Sequence, residues 1–139
     1  MLRIFVSLLL LLSLVTAGTV PEGGLCSSNN DHLDPSTLKF LSECTDQTFC
    51  SGNINGTCIP RQCRRDEFPF GFGPGVALPP ICPQGSFCPD EGSGCKPLAP
   101  LGQPCQLNRD EQCAPPLDWQ DLESSQNFNG SICLHSICM

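Results

Sequence analysis

Twelve cysteines, all beyond residue 25, constrain this 139-residue chain more than any other feature. None falls in a Cys-x-x-Cys pair. Across residues 18–139 nearly one residue in ten is cysteine, the density of a disulfide scaffold. Leu, Ile, Val and Phe make up only 25 of these 122 residues, while Gly and Pro make up 27. Ordering the backbone costs on the order of 1–2 kcal/mol per residue, which so thin an apolar content does not offset. A disulfide contributes about 2–4 kcal/mol, chiefly by restricting the unfolded chain. Cross-linking is therefore expected to decide whether the chain folds at all.

The spacing is repetitive. Cys26-x17-Cys44-x5-Cys50-x7-Cys58 is matched within one residue at each gap by Cys63-x18-Cys82-x5-Cys88-x6-Cys95. Both place Phe before the third cysteine, Phe49 and Phe87. A third quartet, Cys105-x7-Cys113-x19-Cys133-x4-Cys138, carries its long gap elsewhere. Gly23 and Gly102 stand three residues ahead of Cys26 and Cys105. Self-similarity of this kind reads as repeated small units, placed at 18–62, 63–97 and 98–139. Because the third unit stops one residue after Cys138, two expectations stay open: a finished unit, and a truncated form of a longer protein. Spacing alone does not select a connectivity. A crossed pattern, first to third and second to fourth, is preferred: Cys26–Cys50, Cys44–Cys58, Cys63–Cys88, Cys82–Cys95, Cys105–Cys133 and Cys113–Cys138. A shifted frame, in which Cys58-x4-Cys63 aligns with Cys133-x4-Cys138, competes with it.

The start of the chain reads as a secretory signal peptide over residues 1–17. Arg3 supplies the positive start, Ile4 to Val15 the apolar run, and Val15-Thr16-Ala17 the cleavage site. The run is short of the roughly 18 residues that span a bilayer, so no membrane span is expected in the mature chain. Two glycosylation sequons, Asn55-Gly56-Thr57 and Asn129-Gly130-Ser131, suit the same route. Residues 18–139 carry 14 acids against six Lys or Arg, a balance that argues against nucleic acid and anionic membranes as partners.

Regular structure should be sparse: short β-hairpins, one or two short helices, and loops. Asp34-Pro35-Ser36 has the N-cap and first-turn proline of a helix that would set Leu38 and Leu41 on one face. Residues 117–123 suit a second helix. Asn55-Gly56 and Asn129-Gly130 suit two-residue hairpin loops. The fold class is thus a small disulfide-rich, loop-dominated protein of three four-cysteine units.

Chemistry is thinly represented. Without close ligand pairs, and with only His32 and His135 as imidazoles, no metal or cofactor site is assigned. Asp90-Glu91-Gly92 lacks the full oxygen set of a calcium loop. Neither histidine lies in a catalytic motif, so no catalytic residue is assigned. Arg64-Arg65 is the sole dibasic pair, read as surface charge offset by Asp66 and Glu67 rather than a processing site. The segment from Phe68 to Gly75 sets Phe68, Phe70 and Phe72 in alternation within a Gly/Pro loop. If exposed, these rings suit a protein or glycan partner; scarcity of other apolar residues favours their burial, and that of Trp119.

Cys82-Pro83-Gln84-Gly85-Ser86-Phe87-Cys88, Cys95-Lys96-Pro97 and Leu101-Gly102-Gln103-Pro104-Cys105 resemble, in spacing, the cysteine-rich units of Dickkopf-type extracellular proteins. Residues 64–71 and 107–113 give nearly the whole mature chain a resemblance to uncharacterised cysteine-rich ectodomains secreted by basidiomycete fungi. That resemblance implies a secreted or surface-anchored protein and carries over no catalytic residue. The expected function is a secreted, non-enzymatic extracellular interaction or structural protein, its partner an unidentified extracellular protein or glycan. Two alternatives are an inhibitor or effector presenting Phe68–Gly75, and a small hydrolase using His32 or His135.

Overall fold

A computed structural model describes residues 18–65, 72–106, 109–121 and 130–139; residues 1–17, read above as a signal peptide, lie outside them. Among the described residues nine short strands carry the fold. They are β1 (Leu25–Cys26), β2 (His32–Leu33), β3 (Phe40–Leu41), β4 (Thr48–Cys50), β5 (Gly56–Pro60), β6 (Ser86–Phe87), β7 (Lys96–Pro97), β8 (Cys133–Leu134) and β9 (Ile137–Cys138). One antiparallel sheet has the order β1-β5-β4, and β2-β3, β6-β7 and β8-β9 are separate antiparallel pairs. Single 3-10 turns occupy Ser28–Asn30 and Asp110–Gln112. Among the described residues no helix is long and apolar enough to cross a membrane.

All twelve cysteines are oxidised, as Cys26–Cys50, Cys44–Cys58, Cys63–Cys88, Cys82–Cys95, Cys105–Cys133 and Cys113–Cys138. One geometry underlies these bonds three times. Cys50 stands opposite Cys58 across β4-β5, and Cys133 opposite Cys138 across β8-β9. The Phe87–Lys96 register of β6-β7, continued by one residue, sets Cys88 opposite Cys95. Facing side chains on an antiparallel pair lie on the same side of the sheet. Each hairpin therefore offers two sulfurs together, and each sulfur bonds back to an earlier cysteine rather than to its neighbour. In the third pair, Ile132 and Met139 exchange both backbone hydrogen bonds, at 2.9 and 2.8 Å. This puts Cys133 and Cys138 at the adjoining non-hydrogen-bonded position, where side chains approach most closely.

The interior is made of cystine. Among the described residues the buried apolar side chains are nine cysteines and Phe49, whereas Leu25, Ile54, Ile132, Leu134, Ile137 and Met139 are exposed. Two sulfur clusters are supplemented by Val20 in one and Ala99 in the other. Buried beside them are Thr48, Asp90, Arg109, Gln112 and Ser131. Trp119 is half-buried, covering less of the interior than the composition suggests.

Several local readings of the sequence are modified by the structure. The helix expected at Asp34 is one turn. Asp34 accepts from the Ser36 and Thr37 amides at 2.7 and 3.1 Å, and its carbonyl from the Leu38 amide at 2.8 Å. Leu38 then takes φ +54°, and the chain returns as β3. Pairing of Phe40 and Leu41 with β2 thus ends what the cap began. Asn55-Gly56 does not form a two-residue hairpin loop. The Ser51 amide bonds the Thr57 carbonyl at 3.0 Å, leaving residues 52–56 as the connection. Asn55 supplies the left-handed residue, with φ +54°. Gly56 is required for space, since a Cβ there would lie 2.5 Å from the Gly52 nitrogen and 2.8 Å from Cys50 Sγ. The final hairpin turns at His135-Ser136, with φ +50° and +61°; the turn expected at Asn129-Gly130 begins outside the described residues. Positive φ at both central residues is the type I′ pattern that matches strand twist; the Leu134–Ile137 register imposes it on residues that do not favour it. In the second expected helix, residues 117–118 form a turn, residues 119–121 are helical, and residues 122–123 lie outside the described residues.

Two stability outcomes follow. Replacing Cys44 and Cys58 together by Ala should cost about 2–4 kcal/mol in denaturant unfolding, against an unchanged fold in circular dichroism at low denaturant. Ser136→Gly should raise stability by about 1 kcal/mol, because glycine adopts the left-handed conformation without the Cβ penalty. A lower melting temperature in the Gly variant would contradict the strain assigned to that turn.

Candidate functional site

The densest chemistry lies where residues from the three quartets converge on Asp90. Its carboxylate accepts from Arg109 Nε at 2.9 Å on Oδ1 and 3.1 Å on Oδ2. Arg65 Nη1 donates to Oδ1 at 3.0 Å, while Arg61 Nη1 donates to the Asp90 carbonyl at 2.9 Å. Arg109 reaches onward to the Leu38 carbonyl at 3.2 Å. Arg65 also pairs with Glu111 at 3.2 Å. Asp90 and Arg109 are both buried, so each satisfies the charge of the other where water cannot.

Amide side chains extend the network. Gln106 Oε1 accepts from the Asp90 amide at 3.1 Å and from Gln112 Nε2. Gln112 Oε1 accepts from the Gln106 amide at 2.9 Å. Asp110 caps the outer edge of β8 by accepting from the Cys133 amide at 2.7 Å. Gly92 belongs to the same junction. It has φ +76°, and a Cβ there would lie 2.9 Å from Arg61 Cγ, so the Arg61 stem can lie across it only because the position is glycine. Burial lowers the Arg61 pKa from its ordinary value, against the pull of Asp46, Asp90 and Glu91; its Nε is buried without a partner.

Beside this network opens a cavity of about 390 Å3, lined by Phe40 and Phe49 together with Asp31, Glu91, Ser93 and Gln106. Asp31 Oδ1 is buried with no hydrogen-bond partner. Burial first, then repulsion from Glu43 and Glu91, pushes the Asp31 carboxyl up to about 6, with His32 opposing. Glu91 goes the other way. Its burial would raise it, but its own backbone amide, Ser93 and Lys96 together hold it below its usual range. Its oxygens accept from Ser93 at 2.9 Å, Lys96 at 3.2 Å and Gln106 at 3.4 Å.

The residues singled out in the sequence fall elsewhere. His32 lies on β2 with Nδ1 2.8 Å from the Asn30 carbonyl, and His135 lies in the exposed β8-β9 turn. They belong to different hairpins. Asp90 and Glu91 are engaged by Arg109, Arg65 and Lys96, so the chain's own cations occupy the oxygens that a calcium loop would offer. Three sulfur triads, among them Cys26/Cys44/Cys50, have their Sγ atoms within 4.8 Å of one another, and every one of these sulfurs is in a disulfide. Arg64 is tied to the Pro79 and Pro80 carbonyls at 3.0 and 2.9 Å, and Arg65 to Asp90, which is the chemistry of a structural pair. Asn55 is exposed on the β4-β5 connection. Asn129, Phe68 and Phe70 lie outside the described residues; Phe72 is half-buried. Sequence reasoning missed Asp31, Arg109 and Gln112, and weighed Asp90 only as part of a calcium loop. Nothing local marks the pairing of Asp90 with Arg109, since Arg109 lies 19 residues from Asp90 and 71 from Leu38.

No family model, curated protein or solved structure matches the chain.

Asp90→Asn should destabilise the protein by about 3 kcal/mol, because it leaves the buried Arg109 guanidinium without its counter-charge. Arg65→Ala, removing the 37 % exposed partner of the same carboxylate, should cost less than about 1 kcal/mol. Urea melts of the two variants check the contrast; equal losses would place the stability in some other interaction.

Proposed function

We propose that this chain is a secreted extracellular protein that works without catalysis, presenting a rigid surface to another protein or a glycan or serving as a structural element. One observation carries the reading. Cystine and paired polar groups fill the interior, while many of the large aliphatic side chains are on the outside. Six disulfides belong to an oxidising compartment, which agrees with the signal-peptide pattern of residues 1–17. Asn55 is exposed, as a glycan site must be. On the β8-β9 hairpin the inward positions are Cys133 and Cys138, so Ile132, Leu134, Ile137 and Met139 share the opposite, outward face. They are 44–61 % exposed. Adjacent apolar side chains on one face are what a binding surface needs.

A second reading is an inhibitor or effector presenting Phe68–Gly75; Val76 and Leu78, just beyond that loop, are 46 % and 40 % exposed and would extend its apolar surface. The two readings place the partner on different surfaces.

Expression of the full chain in a eukaryotic secretory host should deliver it to the medium, oxidised, beginning near Gly18 and glycosylated at Asn55. Extracellular proteins and glycans of the source organism, arrayed and probed with this material, should include a ligand. Leu134→Asp with Ile137→Asp should weaken that capture at least tenfold without altering the melting temperature by more than a few degrees, whereas Phe70→Ala should do so under the second reading. Turnover of an ester or glycan panel that is lost in both His32→Ala and His135→Ala would overturn the non-catalytic assignment.

A further inference from the structure

The cavity between the first and second quartets holds a group that none of the binding readings uses. Asp31, from the segment entering β2, lines this cavity together with Glu91, from the loop before β7, and is within electrostatic reach of Glu43, from the segment between β3 and β4. Glu43 is held in place by the Ser27 amide at 3.0 Å and Asn30 Nδ2 at 3.1 Å. Glu91 is held by Ser93, Lys96 and Gln106. Only His32 among the groups acting on Asp31 favours its charged form. Asp31 Oδ1 has no donor and no exposure to water. An ionised oxygen in that position lacks both hydrogen bonds and solvent, and two other carboxylates repel it.

We infer that Asp31, Glu43 and Glu91 form a pH-sensitive joint between the first and second quartets, closed in acid and loosened toward neutrality when Asp31 ionises. The proton on Asp31 removes the repulsion and leaves a neutral carboxyl in a cavity that Phe40 and Phe49 also line. This goes beyond the proposed function, since it concerns how firmly two parts of the scaffold are held, not what they bind.

The direction is set by linkage. In the closed state the Asp31 carboxyl titrates near 6, and in an opened state near its ordinary 3.8. Below about pH 4 both states keep the proton, and closure is undiminished. Between about pH 4 and 6 the opened state loses its proton first, so closure weakens as pH rises; above about 6 the weakening is complete. A two-unit shift would change the opening equilibrium about a hundredfold, and the partial exposure of Asp31 brings the expected change to about tenfold. Raised salt should reduce it, because the repulsion from Glu43 and Glu91 is screened.

Amide hydrogen exchange on the full oxidised chain, corrected for intrinsic rates, tests the joint. Protection of residues 28–31, 49–53 and 91–93 should fall about tenfold between pH 4.5 and 7.5 in the wild type, with little change in the β8-β9 hairpin. Asp31→Asn should keep the acid-like protection at both values. Superimposable pH profiles for wild type and Asp31→Asn would overturn the inference. Carbon-detected titration of the wild-type Asp31 carboxyl decides the matter without a variant: a midpoint near 6 supports the joint, and one near 4 rejects it.

Discussion

Crossed cystines hold this molecule where an oil-rich core would hold a larger domain. Three hairpins each present two sulfurs side by side, and each sulfur binds backward to an earlier segment. Each hairpin is thereby fixed to two separate stretches of chain by two covalent bonds. Strands of two to five residues have little stability alone in water, and here they need none. Loop closure in the unfolded chain is restricted before any strand forms. The arrangement also releases apolar residues from the interior, which is why Ile132, Leu134, Ile137 and Met139 face outward.

Covalent bonds within a quartet do not join one quartet to the next. Each disulfide closes a loop of 13 to 28 residues, and none runs from Cys26–Cys58 to Cys63–Cys95 or onward to Cys105–Cys138. The junctions are polar instead. Asp90 draws in Arg109 from the third quartet, Arg61 from the link after Cys58, and Arg65 beyond Cys63. A buried ion pair seldom adds much stability relative to an apolar substitute, but it penalises every arrangement that leaves one charge unmatched. It can therefore set how cross-linked segments sit together while the cystines supply most of the resistance to unfolding.

The acidic cavity has the opposite electrostatic character a short distance along the same chain. Asp90 finds cations and is satisfied; Asp31 finds carboxylates and holds its proton up to about pH 6. Adjacent Asp90 and Glu91 divide between the two environments, one turned to Arg109 and the other bordering the cavity. That division depends on Gly92, whose left-handed backbone lets Arg61 lie against the turn. One loop thus serves both as the anchor between quartets and as a wall of the cavity.

Composition and cysteine placement by themselves determined that the chain must be cross-linked, loop-dominated and short of apolar core. These are matters of how much surface the side chains can bury against the entropy of ordering them. Turn chemistry was legible only in part. Asp34 does cap a turn, and Asn55 does take the left-handed conformation, but strand pairing decided where each turn stopped. His135 and Ser136 carry no local signal for their turn, because the register of Cys133 opposite Cys138 imposes it. Spacing left the sulfur connectivity open; three-dimensional register selects which sulfurs meet. The pairing of Arg109 with Asp90, and the placing of Asp31 and Glu91 around one cavity, were decided by tertiary structure alone. Such pairs depend on the burial and charge that distant segments bring to one place, and local sequence carries neither.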